Sequence, residues 1–222
     1  MLEYAAFLHG IGLIDKNERQ FLELIQNEIR YPVRRENWFM GRSILMRLKG
    51  KVDRAIGSVN YYDYRRDNTD IDKSYPYIEL VKKDKMRRRM HVGPLEYELC
   101  SFLVRFMLMR DDTRTVRPWI EELLEDYPML IYSGQFEMVC PPLLTENHLD
   151  KLNWSGALQY SLAKKQLCKV GNKLAGHYKS SGNLVYAVVR NAGHMVPYDQ
   201  PENTLDLIDR FISKKLRTVT SK

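Results

Sequence analysis

The segment from 174 to 215 limits the possible folds of this 222-residue chain more than any other. Two short runs, "LAGHYK" and "LVYAVVR", flank the turn residues "SSGN", which is the pattern of a β-hairpin. A loop containing Gly193 and His194 comes next. Pro201 then opens "ENTLDLIDRFISKKL", whose apolar residues recur at helical spacing with acids early and lysines late. A strand, a loop and a helix thus follow one another in that order. Upstream, "MLIYS" after Pro128 is a short apolar run ending at Gly134, the mark of a buried strand that stops in a loop. Between these runs the apolar spacing predicts a helix from about Ser155 to Lys169, so three strands are expected in this half.

The first half has a different texture. From Glu3 to about Lys49 the pattern is helical, as in "FLELIQNEI" and "NWFMGRSILMRL", with Gly10, Gly12 and Pro32 as punctuation. Residues 57–77, "GSVNYYDYRRDNTDIDKSYPY", are rich in Tyr, Asp and Asn without periodicity and predict an irregular surface excursion. Helical spacing returns in "EYELCSFLVRFMLMR" and in "RPWIEELLED", where Pro118 suits a first turn. The expected organisation is a helical segment over 1–115 and a strand-and-helix segment over 116–222.

Composition excludes several function classes. With 44% hydrophobic and 28% charged residues the chain is ordinary globular material rather than a disordered one. The net charge of +7 comes largely from local runs such as "KKDKMRRR" at 82–89. That run predicts a solvated helix face, with phosphate binding as the alternative; no interleaved aromatics or nucleic-acid motif accompany it, so no nucleic-acid partner is expected. No stretch approaches the roughly eighteen apolar residues that span a bilayer, and "MLEYAAFLHGIGLIDKNERQ" has neither a basic start nor a convincing cleavage site, so it is not expected to act as a secretion signal. No membrane partner is expected. Cys100, Cys140 and Cys168 are an odd number at wide spacings, which makes neither a CxxC site nor a disulfide framework. His9, His91, His148 and His177 are dispersed and lack nearby acid or thiol partners, so no metal and no cofactor is expected.

His194 has the surroundings of a catalytic base. The preceding strand fixes the backbone, Gly193 permits an unusual turn, and Pro197 and Pro201 stiffen the chain beyond it, so that an imidazole can be aimed. A carboxylate that orients the ring should sit at another strand end, and Glu137 in "LIYSGQFEMV" occupies such a place. Acid before histidine, each after a strand, is the order of the α/β-hydrolase triad, whose nucleophile comes first. No serine or cysteine lies in a GxSxG-like elbow; Ser133, Ser155 and Ser181 lie at or after the acid strand. The other reading of His194 is a histidine hydrogen-bonded in a loop.

"LIYSGQFEMV", "LNWSG" and above all "NAGHMVPYDQP" resemble the C-terminal signature of the serine carboxypeptidases, and "YAAFLHGIGLID", "ENWF", "NYYDY" and "MHVG" resemble their vitellogenic-like branch. The resemblance implies the C-terminal part of an α/β-hydrolase fold with a helical cap insertion, a peptide substrate cut at its last bond, and a secreted or lysosomal setting. It puts His194 at the general base, Met195 beside the pocket for the departing residue, and Glu137 where the family has aspartate. The extra methylene of Glu137 moves a carboxylate by about one C–C bond, and a shift near 1 Å costs on the order of a hundredfold in rate. Ser58 stands where relatives commonly carry a cysteine, so a cap disulfide is expected to be missing.

The family's serine elbow, oxyanion loop and carboxylate-binding groups have no counterpart in the 222 residues. The chain alone is therefore expected not to hydrolyse peptides; it reads either as a fragment of a longer gene product or as one chain of a split enzyme whose N-terminal carboxypeptidase chain carries the serine. A non-catalytic module that binds protein or peptide through the cap helices is the alternative. With few strands in the second half, the acid-bearing strand is expected at an unpaired apolar edge, and the isolated chain to be poorly soluble.

Overall fold

The computed structural model describes residues 3–68, 77–108, 111 and 114–216. Helices α1 (Tyr4–Gly10), α2 (Lys16–Arg34) and α3 (Trp38–Ile56) open the chain. Asp15 caps α2 through a reciprocal box with Glu18, and Asn37 caps α3 by accepting from Met40 N–H. These three helices bury Leu8, Leu22, Ile25, Leu48 and Val52 in one core, to which Met138 from the second half also belongs. Pro32 does not punctuate α2 but sits inside its last turn. So near the C-terminus the missing N–H costs one bond, and the end is closed by Arg35 N–H on the Tyr31 and Pro32 carbonyls.

The exposed stretch after α3 and its loop carries α4 (Tyr77–Lys82), α5 (Asp84–Arg89) and α6 (Phe102–Met107), none with a buried residue. Of the helical spacing over 96–110, the described residues 96–108 form only the six residues of α6, none of them buried. Residues 69–76 of the predicted irregular excursion lie outside the described residues. Its described part is not all surface, since Asn60 and Asp63 are buried.

The second half begins with α7 (Arg117–Asp126), which has Pro118 in its first turn, and β1 (Met129–Gly134). Then come α8 (Pro142–Leu149), α9 (Ala157–Leu162), β2 (Gln166–Val170), β3 (Lys173–Ser181), β4 (Leu184–Val189), α10 (Val196–Asp199) and α11 (Pro201–Ile212). The helix expected to reach Lys169 stops at Leu162, and Gln166–Val170 is a fourth strand. Pairing with β3 decides this: Gly171, at φ 56, opens a tight turn into β3, and Cys168 alone among 166–169 points into the core.

The four strands lie in the order β1-β4-β3-β2, with β1 parallel to β4 and the other pairs antiparallel. All six residues of β4 are buried. Its alternation splits them between two cores: Leu184, Tyr186 and Val188 meet Leu124, Leu149, Trp154 and Tyr160 on one face, and Val185, Ala187 and Val189 meet Val196 and Leu207 on the other. The sheet is thus covered by helices on both sides. β1 occupies its edge and is half-buried rather than buried. Among the described residues no helix is long and apolar enough to cross a membrane.

Candidate active site

Parallel pairing of β1 and β4 brings their two C-terminal ends together, and the loops that leave them, 135–140 and 190–195, are stitched to each other. Gln135 N–H donates to the Val189 carbonyl at 3.0 Å and Phe136 N–H to that of Ala192 at 2.8 Å. The approach is close enough to require glycine at two positions. A β-carbon on Gly134 would collide with the Gly193 carbonyl and stand 2.7 Å from that of Ala192; one on Gly193 would collide with the Tyr62 carbonyl and stand 2.8 Å from Asp63.

The third member of this seam is the loop 60–66. His194 N–H donates to the Tyr62 carbonyl at 2.6 Å, Met138 N–H to that of Tyr61 at 2.9 Å, and Tyr64 N–H to that of Phe136 at 3.1 Å. The sequence "NYYDYRR" therefore clamps both strand-end loops at once. Tyr62 lies against the His194 ring, with centroids 5.4 Å apart.

Within this seam His194 Nδ1 donates to Glu137 Oε2 at 2.6 Å. Glu137 is buried, 4% exposed, while the imidazole is about a third exposed. Glu137 lies three residues past β1, and the loop's anchoring at Phe136 and Met138 sets its backbone where the longer side chain meets the ring directly. The hydrogen bond to Glu137 holds the imidazole pKa above its ordinary value, against burial, which acts in the opposite direction. With Nδ1 engaged by a carboxylate, Nε2 is the nitrogen left to exchange a proton. Among the described residues no serine hydroxyl bonds to it; the buried Ser133 hydroxyl instead accepts from Tyr186. Met195 is half-exposed and leads into α10.

Behind the histidine is an ion-pair cluster that pattern reading missed. Asp199 Oδ2 accepts from Gly193 N–H at 2.8 Å, and Arg66 bridges Asp199 and Asp63 at 3.2 and 3.3 Å. Arg65 grips Asp63 with two bonds, at 2.9 and 2.7 Å, and its Nη2 also reaches the Asn191 carbonyl at 3.3 Å. Burial alone would raise the Asp63 pKa, but bonds from Arg65 and the charge of Arg66 more than offset it and hold it below the usual range. The available signal was an aspartate with arginines two and three residues later, in a segment otherwise taken for surface.

Ser58 donates to Asp67 at 3.0 Å, and Cys100, Cys140 and Cys168 are free thiols. Among the described residues no cluster of three His, Cys, Asp or Glu side chains is placed to hold a metal ion.

Residues 1–214 match the family model described as Peptidase_S10, serine carboxypeptidase. The chain is 30% identical over 223 aligned residues to a probable serine carboxypeptidase, CPVL, of Homo sapiens, covering 96% of this chain and 46% of that protein. It is 32% identical to the venom serine carboxypeptidase of Apis mellifera, covering 96% and 48%. It is 29% identical to the vitellogenic carboxypeptidase of Aedes aegypti, covering 96% and 47%. The chain thus spans about half the length of these relatives. In fold it is similar to Kex1(delta)p, a prohormone-processing carboxypeptidase from Saccharomyces cerevisiae, with a TM-score of 0.76 at 17% identity over 96% of this chain and 51% of that one. The sheet and its covering helices are part of an α/β-hydrolase fold.

Proposed function

Because the chain belongs to the serine carboxypeptidase family, we propose that it supplies the base and acid of a serine-type carboxypeptidase, with His194 as general base and Glu137 as the group that orients it. The observation that carries this reading is the 2.6 Å bond from His194 Nδ1 to the buried Glu137, at the joined ends of two parallel strands. In this reading Nε2 takes the proton of a serine hydroxyl as its oxygen bonds to the carbonyl carbon of the peptide's last amide bond. It then returns that proton to the leaving amine as the C–N bond breaks, and water releases the acyl group by the same route. Glu137 holds the tautomer with Nδ1–H and stabilises the imidazolium.

The serine and the oxyanion donors come, in this proposal, from outside the 222 residues, in a segment or chain that extends the sheet from the edge of β1. Residues 1–115 act as the cap, and Met195 borders the pocket for the departing residue. Secretion or lysosomal delivery belongs to the same reading. A non-catalytic, peptide-binding role is the other outcome of the test. Labelling the native assembly with a serine-directed covalent probe is expected to mark a serine that co-purifies with this chain. Absence of labelling, with the chain folded, would overturn the enzyme reading.

A further inference from the structure

One side of α3, the loop 60–68, the segment after Glu137 and α6 enclose a cavity of about 580 Å³. That volume holds a peptide side chain together with its backbone. Its walls are largely apolar, with Leu45, Met46, Val139 and Leu144 prominent. The cavity adjoins the catalytic seam in two ways: Met138 and Val139 directly follow Glu137, and Tyr62, whose ring lies against His194, is itself a wall residue.

The charged side chains among the described wall residues are Arg42, Lys49 and Arg105, all cationic. Two of the three are held elsewhere. Arg42 is buried, and the Lys49 ammonium is paired with Asp53 at 2.8 Å and packed over the Tyr61 ring. Arg105, exposed on α6, donates to the Met46 sulfur at 3.9 Å, and a thioether is a poor acceptor for a guanidinium. A planar fork that can take a carboxylate on two oxygens thus stands at the rim of an apolar cavity beside the proposed base.

We propose that this cavity binds an acidic side chain of the peptide substrate, with the aliphatic part against Leu45, Met46 and Val139 and the carboxylate on Arg105. The assignment rests on the carboxypeptidase reading for its choice of a peptide as ligand. It adds a preference for glutamate or aspartate at one of the last two positions of the peptide, and it identifies Arg105 as the residue that sets it.

The test is calorimetric titration of the full chain, together with any partner that accompanies it, using short peptides whose last amide is reduced to a non-cleavable methyleneamine and which are alike except for glutamate, glutamine or lysine at either of those positions. The glutamate peptide is expected to bind about tenfold more tightly than the glutamine peptide, the size of one charge-assisted contact, and the lysine peptide weakest. Arg105→Gln, on an exposed helix face, should abolish that advantage, whereas Lys85→Gln, on α5, should preserve it. Equal affinities for the three peptides, or a glutamate preference that survives Arg105→Gln, would overturn the assignment. Binding is read without turnover, which separates the two proposals. Peptide hydrolysis with no glutamate preference would sink this site and leave the carboxypeptidase reading standing; glutamate-selective binding in an assembly that no serine probe labels would do the reverse.

Discussion

The seam around His194 and the stretch from Tyr77 to Leu108 contain little sheet and much loop, yet they are built on opposite terms. In the seam, loops from three distant parts of the chain exchange backbone hydrogen bonds, two glycines leave no room for a β-carbon, and Asp63 and Glu137 are buried among partners. In the stretch, three short helices bury none of their residues, and Phe102, Leu103 and Met107 are each more than 60% exposed. Apolar periodicity therefore makes a helix durable only when another element receives its face, whereas a segment without periodicity becomes rigid when its backbone groups are paired across the fold.

Substitutions in the two regions should differ widely in cost. Gly134→Ala puts a methyl group into the Gly193 carbonyl and should cost about 3 kcal/mol, read as a fall of roughly 10 °C in Tm. Asp63→Asn removes the carboxylate that Arg65 and Arg66 share; because both arginines are over a third exposed, a loss of only about 1–2 kcal/mol at pH 7 is expected in denaturant titration. The pH dependence has a definite sign. The folded pKa of Asp63 is depressed, so its contribution is complete above the unfolded carboxylate range near 4 and is lost as pH falls through the depressed folded value. The gap between wild type and Asp63→Asn should therefore narrow below about pH 4. Phe102→Ser, at a residue 81% exposed, should change stability by no more than about 0.5 kcal/mol. A larger loss would mean that α6 is covered in solution.

Much of the sheet half was legible because its signals are local. "SSGN" between two apolar runs marked the β3–β4 hairpin, and Pro118 and Pro201 marked α7 and α11. β2 was not, since "SLAKKQLCKV" satisfies a helical spacing nearly as well as an alternating one and only pairing with β3 selects the strand; "GN" at 171–172 was the turn signal that pointed to it. At the site, the place of His194 and Glu137 after two strands was visible, and their meeting follows from the parallel register of β1 and β4. The cluster of Asp63, Arg65, Arg66 and Asp199 was hidden because its members lie up to 136 residues apart (199 − 63) and nothing in their local pattern announces a contact.

If Glu137 holds His194 as a base, the imidazole's own titration must show it. NMR of the ring C–H signals against pH should give wild-type His194 a midpoint above the ordinary value of 6.5, and Glu137→Gln should bring it down. The stability contributed by the pair should then be complete below about pH 6.5 and fade as pH rises through the raised folded value. A midpoint at or below 6.5 in the wild type, or one that Glu137→Gln leaves unmoved, would refute the role given to Glu137.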